Sequence, residues 1–400
     1  MNLILRGVNI WNGTDDHISS DQEILIETGK ILEVRPASTG NSGDTRVIDL
    51  QGAYVTPGLI DMHVHLVWDG SSDPASVVER DGEQLTTLRA IDHGLQELRA
   101  GVTTVRDLGG NWNVPLAVAK AIRARYLPGP NVIAAGKTVI MTGGHDPFWG
   151  EMADGEVALT AAVRRQAYLG AQCIKVAATG GVYGRPDGEE IGQSELTFEE
   201  LRAVATEAHR LNLKVAAHAL GREGIHAAVR AGIDTIEHGT FLDEAIINDM
   251  LQAGTALCPT LLVYRTIAEG AQHGIPAYAV EKAQRAVDAH RTSFQAALKA
   301  GVHIVAGSDA GSPATPHGAL IDELLLMHES GMDAAAALRS ATSGAAHTLG
   351  LGRRLGQIAP GFTADLVVYG ENPITQLTAL RSPQLVVSRG QTVVTDGPDS

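Results

Sequence analysis

The 400-residue sequence predicts an α/β protein with a TIM-like (β/α)8 barrel and a small β-sandwich domain formed by both chain ends. Two observations predict this fold. From about Leu59 to about Leu351, short β-branched segments alternate with amphipathic helical segments, which is the pattern of repeated βα units. Both ends of the chain are instead rich in strands and turns.

The amino-terminal end predicts strands in LILRGVNIWNG, EILIETGKILEVR and RVIDLQGAYVTPG, with a tight hairpin at Thr28-Gly29-Lys30. The carboxyl-terminal end predicts strands in GQIAPGFTADLVVYG, QLVVSRG and QTVVTDG. Neither end alone would bury a core. We therefore expect residues 1–56 and 355–400 to form one small domain beside a barrel of residues 57–354.

The middle of the chain contains eight candidate strands, the number that closes a barrel. They are 59–66, 102–107, 131–137, 172–178, 214–218, 233–238, 255–260 and 302–309. Helical patterns lie between them; one begins at Thr197, a candidate N-cap with Glu200 at the capping-box spacing. Two more helices are expected at 317–330 and 333–348. A long connection is expected from Gly70 to Glu83, and irregular glycine-rich stretches at 138–156 and 179–196.

Composition excludes several classes of protein. Hydrophobic residues make up 44% and charged residues 19%, unlike a disordered chain. The net charge of −15 gives no field to attract nucleic acid. Two cysteines exclude a disulfide scaffold, and no segment has the roughly 20 consecutive apolar residues of a membrane span. With no signal peptide apparent, we expect a cytoplasmic protein without nucleic-acid or membrane partners.

The first candidate strand carries the strongest local signal for a site. In PGLIDMHVHL, His63 and His65 are two residues apart and share one face of an extended strand. This geometry suits two imidazoles on one metal ion. A buried pair of core histidines is the structural alternative.

Other strands carry polar residues at matching places. Lys175 lies in the apolar segment AQCIKVAATGG, where a charge is costly unless it is neutralised, paired or turned to the surface. His218 ends KVAAH, His238 ends DTIEH, and Asp309 follows VHIVAGS. Together with the histidine pair these six residues end strands one, four, five, six and eight. Core packing alone hardly explains such a joint pattern.

In this order, the motif PGLID-x-H-x-H-L followed by Lys, His, His and Asp resembles the amidohydrolase superfamily, in its binuclear branch with a carboxylated lysine. The segment GQIAPGFTADLVVYGENP is similar to the carboxyl-terminal strands of that superfamily. Within it, TGGH, ATGGV and SDAGSPATPHG resemble the branch of metal-dependent Xaa-Pro dipeptidases (prolidases), related carboxypeptidases and ochratoxin-type amidases. The resemblance covers nearly the whole chain.

The resemblance implies two divalent ions, with zinc as the first expectation and manganese, cobalt or iron also fitting. His63, His65 and Asp309 would hold one ion, and His218 and His238 the other. A carbamate formed from Lys175 and carbon dioxide would bridge them. A hydroxide between the ions would attack the substrate carbonyl, and Asp309 would carry a proton to the leaving nitrogen.

The implied substrate is a small molecule with an amide or peptide C–N bond: a dipeptide, an N-acyl amino acid or a related amide. Aryl carbamates, ureas or cyclic amides are the alternative, with phosphotriesters or lactones a minor one. The candidate substrate contacts are His145, which is also a catalytic candidate, Tyr183, Arg185, Leu220 and His317. Leu220 stands where peptidase relatives often have an aromatic hydroxyl, and Asp146 follows His145 where glycine is expected.

Two other functions fit the sequence less well. A mononuclear deaminase usually has a glutamate three residues after the strand-five histidine, where this chain has Gly221. A non-catalytic assembly protein would have lost ligands, and none of the six is missing. The resemblance also implies a homo-oligomer. The histidines in helical patterns are expected to be solvated, namely His93, His209, His226, His290, His328 and His347.

Overall fold

The computed structural model describes residues 2–39 and 45–393. The strands are β1 Leu3–Trp11, β2 Ile18–Glu27, β3 Lys30–Pro36, β4 Arg46–Asp49, β5 Tyr54–Pro57, β6 Leu59–Val64, β7 Val102–Asp107, β8 Asn131–Ala134, β9 Val139–Ile140, β10 Glu151–Met152, β11 Cys173–Ala177, β12 Lys214–Ala219, β13 Thr235–His238, β14 Ala256–Cys258, β15 Leu366–Tyr369, β16 Pro383–Ser388 and β17 Gln391–Val393. The α-helices are α1 Pro74–Arg99, α2 Val114–Arg123, α3 Gly155–Leu169, α4 Phe198–Arg210, α5 Arg222–Ala231, α6 Glu244–Ala253, α7 Leu261–Glu269, α8 Ala277–Ala300, α9 Leu320–Glu329, α10 Ala334–Ser340 and α11 Ser343–Thr348.

Strands from both chain ends share one eight-stranded sheet, in the order β17-β16-β15-β5-β1-β2-β3 with β4 beside β1. The two ends meet at β5, which pairs parallel with β1 and antiparallel with β15. A core cluster on this sheet includes Leu5, Val8, Ile24, Val55 and Leu366. The ends therefore join as the sequence predicts. Residues 394–397 of the predicted QTVVTDG strand lie outside the described residues.

The predicted tight hairpin joins β2 and β3. Its two turn residues, Thr28 and Gly29, have φ angles of 51° and 83°. Two left-handed residues in succession match the type I′ turn, whose twist suits a two-residue hairpin. A Cβ atom on Gly29 would also lie 2.8 Å from the carbonyl oxygen of Arg389, so glycine fits this position best.

The middle of the chain forms two parallel sheets, ordered β6-β7-β8 and β10-β9-β11-β12-β13-β14. Seven of the eight predicted strands fall in these sheets. Most of the strands are separated in the chain by helices, as expected for βα units. Because parallel strands run in one direction, their carboxyl ends meet at the same edge of each sheet.

The eighth predicted strand, 302–309, is not a regular strand. It makes isolated parallel bridges at Ile304 with Leu257 and at Ala310 with Val64. Its ladder is interrupted because Asp309 has a φ angle of 58° and because the backbone passes close to β6. A Cβ atom on Gly307 would lie 2.8 Å from the Cβ atom of His63. The segment nevertheless bonds to β14 and β6, through Val305 N to Leu257 O at 2.9 Å and Met62 N to Ala306 O at 3.0 Å.

Of three predictions that concern helices, one is wrong, one is confirmed and one needs a correction. The long connection predicted from Gly70 to Glu83 is wrong, because α1 begins at Pro74, with proline in the first turn and Ser76 Oγ bonded to Asp73. The capping box of Thr197 and Glu200 is confirmed. The helix predicted at 333–348 divides into α10 and α11 at Thr342, whose backbone is not helical.

The two glycine-rich stretches also differ from each other. The stretch 138–156, predicted to be irregular, contains the short strands β9 and β10. The stretch 179–196 has no regular helix or strand and is closed by a single bridge between Thr179 and Ser194. None of the described helices is both long enough and apolar enough to cross a membrane.

Candidate metal centre

The structure brings the six predicted ligand residues to the lining of one cavity. All are at most 7% exposed: His63, His65, Lys175, His218, His238 and Asp309. The strand register explains part of this convergence, because Ala177 of β11 pairs with His218 and Ala219 of β12 pairs with His238. Neighbouring parallel strands thus present these histidines at the same edge.

His63, His65 and Asp309 form one group of possible metal ligands. Their ligand atoms lie within 4.8 Å of one another. Asp309 Oδ1 is 3.7 Å from His63 Nε2 and 3.5 Å from His65 Nε2, too far for good hydrogen bonds. The three side chains therefore face a common point without satisfying one another.

The opposite ring nitrogen of each histidine in this group has a hydrogen-bond partner. His63 Nδ1 lies 3.0 Å from Glu237 Oε2, and His65 Nδ1 lies 3.0 Å from the carbonyl oxygen of Gly109. Because both partners accept, each Nδ1 carries the proton and each Nε2 lone pair faces Asp309. Such carboxylate and carbonyl partners commonly fix the tautomer of metal-binding histidines.

The second pair, His218 and His238, has ring centroids 4.7 Å apart. His238 Nδ1 lies 2.7 Å from Thr260 Oγ1. His218 Nε2 is buried and has no hydrogen-bond partner in the part of the chain that the structure describes. Burial lowers the pKa of both imidazoles well below its usual value, so both are neutral and able to donate a lone pair.

Lys175 is 2% exposed and lines the same cavity. Burial lowers its pKa, and the nearby carboxylates of Glu237, Asp146 and Asp309 oppose that shift. The alternative in which this lysine turns to the surface is therefore wrong. A buried amine among carboxylates and imidazoles is chemically reactive, and burying it in its charged form costs free energy of folding.

His145 joins the cavity from the loop between β9 and β10. Its ring stacks on His218, with centroids 3.9 Å apart. Its Nδ1 lies 2.6 Å from Glu189 Oε1, and its backbone N–H donates to Glu195. Burial disfavours the charged ring, but Asp146 and Glu189 raise the pKa of His145 to about 9.

The sequence profile of the Amidohydrolase family matches residues 54–393. This chain belongs to the amidohydrolase family. Ochratoxinase from Aspergillus niger is 32% identical over 363 residues, covering 82% of this chain and 73% of that protein. The crystal structure of a Xaa-Pro dipeptidase with bound methionine is 31% identical, with a TM-score of 0.92 over 98% of this chain and 100% of the other. A prolidase complexed with N-methylphosphonate-L-proline is 29% identical, with a TM-score of 0.91 over 99% and 100%.

Family and relatives together show that this amidohydrolase is a hydrolase acting on carbon–nitrogen bonds. They also show a TIM-barrel-like α/β fold, in agreement with the parallel sheets. Members of the family typically bind divalent metal ions, and the histidine and aspartate groups of the cavity are of the kind that does so.

The candidate substrate contacts of this amidohydrolase divide into two groups. His145 and Tyr183 line the cavity, whereas Arg185, Leu220 and His317 are not among the described residues that line it. Arg185 bonds within its own loop, through Nη2 to the carbonyl of Gly188. Leu220 is fully buried, and its backbone N–H donates to the hydroxyl of a threonine.

His317 lies behind the cavity wall. Its Nε2 is 2.9 Å from the carbonyl oxygen of Trp68, and its ring stacks on His93 at 4.3 Å. The expectation that helical histidines are solvated is wrong for His93, at 5% exposed, and for His290, at 1%. His290 Nε2 lies 2.9 Å from the carbonyl oxygen of His238, so it packs against the candidate metal centre.

Sequence reasoning missed the residues that support the ligands. Arg106 donates to Glu237 at 2.8 Å and to the carbonyl of Met62 at 2.6 Å, directly beneath His63. Charges inside the apolar strands VTTVRD and TIEH were the available signal. Glu189 and Glu195 were also missed, and their position in a glycine-rich loop gives no comparable signal.

Proposed function

We propose that this amidohydrolase cleaves an amide or peptide C–N bond in a small molecule, using two divalent ions. Dipeptides, N-acyl amino acids and related amides are the proposed substrates. The observation that carries the proposal is the convergence of four imidazoles and a carboxylate on the buried amine of Lys175. Burying a charged lysine for packing alone would be costly, so a chemical role accounts for it better.

The donor set fits two ions. His63, His65 and Asp309 would hold one of them, because their Nε2 and carboxylate atoms face a common point. His218 and His238 would hold the other, which accounts for the unpartnered Nε2 atom of His218. Imidazole and carboxylate ligands suit zinc, and manganese, cobalt or iron would also fit.

Lys175 would complete both sets as a carbamate. Burial lowers its pKa and so favours the neutral amine, whose lone pair would form a bond to the carbon of carbon dioxide. One C–O electron pair then moves onto oxygen, and the nitrogen releases a proton. The resulting anion offers two oxygen atoms where a charged ammonium would repel metal ions.

When bound, the two ions would supply a hydroxide nucleophile and polarise the scissile carbonyl. Asp309 would accept a proton and deliver it to the departing nitrogen, which is otherwise a poor leaving group. Ser312 Oγ donates to Asp309 Oδ1 at 2.8 Å and orients this carboxylate. With Nδ1 bound by Glu189, His145 would use Nε2 to hold a substrate oxygen.

Aryl carbamates, ureas or cyclic amides are a second candidate class, favoured by the aromatic residues Trp68, Tyr183 and Tyr264 in the cavity lining. Deamination is disfavoured on steric grounds. A Cβ atom on Gly221, where a deaminase carries glutamate, would overlap the carbonyl oxygen of Gly192.

We also propose that the parallel strands close as a (β/α)8 barrel within residues 57–354. Gln172 N donates to Ala134 O at 2.8 Å, which links β8 to the start of β11, and the segment 303–310 links β14 to β6. Strand β15 supports the proposed β-sandwich of residues 1–56 and 355–400, because its successive residues pack into two different cores. Leu366 and Val368 belong to the hydrophobic cluster of the chain ends, and Val367 between them belongs to the hydrophobic cluster of the barrel. The homo-oligomer and the cytoplasmic location stay predictions.

Metal analysis and an activity screen test this proposal. Protein produced with zinc or manganese should bind close to two ions per chain and hydrolyse members of a library of dipeptides, N-acyl amino acids and aryl carbamates. Lys175→Ala should lose at least one ion and most activity. Lys282→Ala is the matched control, because Lys282 is also buried but does not line the cavity. Fewer than one ion per chain, with unchanged activity in Lys175→Ala, would refute the proposal.

A further inference from the structure

Besides Asp309, the cavity lining contains a second carboxylate, Asp146. It is 7% exposed and belongs to neither of the two proposed sets of metal ligands. Its φ angle is 62°, a left-handed conformation that aspartate, asparagine and glycine tolerate best. The resemblance leads to glycine at this place, so the backbone alone does not require a carboxylate. Because burying a charged group costs free energy unless the group is paired, its partners indicate what Asp146 does.

One oxygen of Asp146 is fixed within the protein. Oδ2 accepts a hydrogen bond from Thr138 Oγ1 at 2.9 Å, and Thr138 Oγ1 accepts one from Trp149 Nε1 at 2.9 Å. Both of these supporting residues are at most 3% exposed. The backbone carbonyl of Asp146 is fixed as well, because it accepts from the N–H of Gly150 at 2.9 Å. The carboxylate is thus held in one orientation before a substrate binds.

The other oxygen of Asp146 faces a histidine without bonding to it. Oδ1 lies 3.5 Å from His145 Nε2, which is too far for a good hydrogen bond. His145 Nδ1 is bound to Glu189 at 2.6 Å, so Nε2 is the ring nitrogen left for a substrate oxygen. His145 and Asp146 both line the cavity. Together, Nε2 and Oδ1 therefore offer a donor and an acceptor side by side.

A substrate with a free α-amino group matches this pair of atoms. In an aminoacyl group the carbonyl oxygen and the α-nitrogen are three bonds apart, a separation of about 3 Å. With the carbonyl oxygen on His145 Nε2, the α-nitrogen can therefore lie beside Asp146 Oδ1. A protonated amine has three N–H donors and a positive charge, so it binds a carboxylate more strongly than an acylated nitrogen or a hydroxyl group does.

We propose that Asp146 binds the free α-ammonium group of the substrate, next to the bond that is cleaved. Asp146 is then a specificity-determining residue. The preferred substrates are dipeptides and other amides in which the scissile carbonyl is attached to the carbon that carries the amine. N-acyl amino acids lack this charge and are poorer substrates. This inference rests on the proposed function, because it concerns the same cavity and the same bond.

Two matched substrate pairs test the charge selection in the metal-loaded enzyme at about pH 7, where an α-amino group is largely protonated. One pair is L-alanine anilide and L-lactanilide, and the other is L-alanyl-L-phenylalanine and N-(L-lactoyl)-L-phenylalanine. Each pair exchanges an ammonium group for a hydroxyl group of similar size. The ammonium member should have a kcat/KM at least about ten-fold higher, in line with the strength of hydrogen bonds between charged groups.

The possible results separate the inference from the proposed function. If the hydroxyl member of either pair is cleaved as well as its ammonium partner, the inference is wrong and amide hydrolysis stands. If the loaded enzyme cleaves no amide of either kind, the proposed function fails and takes the inference with it.

Variants test the role of Asp146 itself. Asp146→Asn keeps the shape and suits the same φ angle but removes the charge, so the ratio of kcat/KM between ammonium and hydroxyl members should fall about ten-fold. Asp146→Gly also suits this φ angle and should lower the ratio as well. Effects of Asp146 on His145 or on the metal ions act on both members of a pair alike and cancel in the ratio.

Asp154→Asn is the matched control. Asp154 is a carboxylate of the same stretch of chain and also accepts from a threonine hydroxyl, that of Thr142, but it is exposed and does not line the cavity. The ratio should be the same in Asp154→Asn as in the parent. An unchanged ratio in Asp146→Asn and Asp146→Gly, or an equal fall in Asp154→Asn, would overturn the assignment of Asp146.

Discussion

The two ends of the cavity are built differently. At the metal end, His63, His218 and His238 belong to strands, and their positions follow from the register of neighbouring parallel strands. At the wall end, Trp68 and Tyr183 lie in loops that follow strands β6 and β11. The metal end therefore depends on the sheet, and the wall end depends on contacts between loops.

The support behind the two ends differs in the same way. Arg106 and Glu237 fix His63 from inside the sheet, with both side chains at most 2% exposed. The wall end is held by bonds across loops, such as the Tyr183 hydroxyl to Asp73 at the start of α1. Changes at the metal end should thus reduce metal binding and kcat, whereas changes at the wall end should alter substrate choice.

The largest effect is expected from Asp309→Asn. Without a carboxylate to move the proton, kcat should fall about 10³-fold, within the usual range for loss of a general acid–base group. The measurement is kcat at saturating metal, with metal content determined on the same sample. Asp365→Asn is the control, because Asp365 is also 7% exposed but accepts a backbone bond in the sheet of the chain ends. A kcat of Asp309→Asn within a few-fold of the parent would rule out this role.

A smaller effect is expected from Glu237→Gln. The amide accepts more weakly from His63 Nδ1 and breaks the ion pair with Arg106, so the ring loses its fixed tautomer. Metal affinity should fall about 10- to 100-fold, as is common when such a partner is lost. A competition titration with a chelator measures it, and nitrogen NMR reports the His63 tautomer.

Glu323→Gln is the control for this variant. Glu323 is as buried as Glu237, and its carboxyl group also accepts hydrogen bonds. Its donors, however, are the backbone N–H groups of Leu261 and Leu262 at the start of α7. Equal losses of affinity in both variants would mean that any change at a buried carboxyl group lowers the affinity, and that the contact with His63 is not the cause.

The sequence predicts the metal end well, because alternation along a strand places His63 and His65 on one face whatever the loops do. It does not predict which charged residues lie beneath them. Arg106 and Glu237 come from β7 and β13, and only the arrangement of the strands shows that their side chains meet.

The wall end is predicted less well for a physical reason. The resemblance makes Arg185, in the loop after Lys175, and His317, after Asp309, candidate substrate contacts, but a loop can turn such a side chain in any direction. Glu189, four residues beyond Arg185, accepts its backbone N–H at 2.5 Å and also bonds His145. The loop is thus folded around a carboxylate whose importance no spacing rule indicates.

The smallest predicted effect is on the pH dependence of stability, and it concerns His317, whose side chain bonds the backbone carbonyl of Trp68. His317 Nε2 faces a carbonyl oxygen, which only accepts, so this nitrogen carries the proton. Burial lowers the pKa of His317 to about 4, and the neutral ring must therefore accept at Nδ1, 3.0 Å from Glu97. Burial raises the pKa of Glu97 to about 7, so below that pH Glu97 is protonated and donates this bond.

A carboxyl group whose pKa is raised on folding stabilises the protein fully below its ordinary pKa of 4.5 and loses that effect as the pH rises through about 7. Glu97→Gln keeps a donor toward His317 but cannot titrate. The free energy of unfolding of the parent, relative to this variant, should therefore decline between pH 4.5 and pH 7. Denaturant unfolding across that range measures it, with the exposed Glu199→Gln as control. A constant difference between parent and Glu97→Gln would show that the bond at Nδ1 of His317 does not depend on a protonated carboxyl, and the wall end would then owe its position to packing alone.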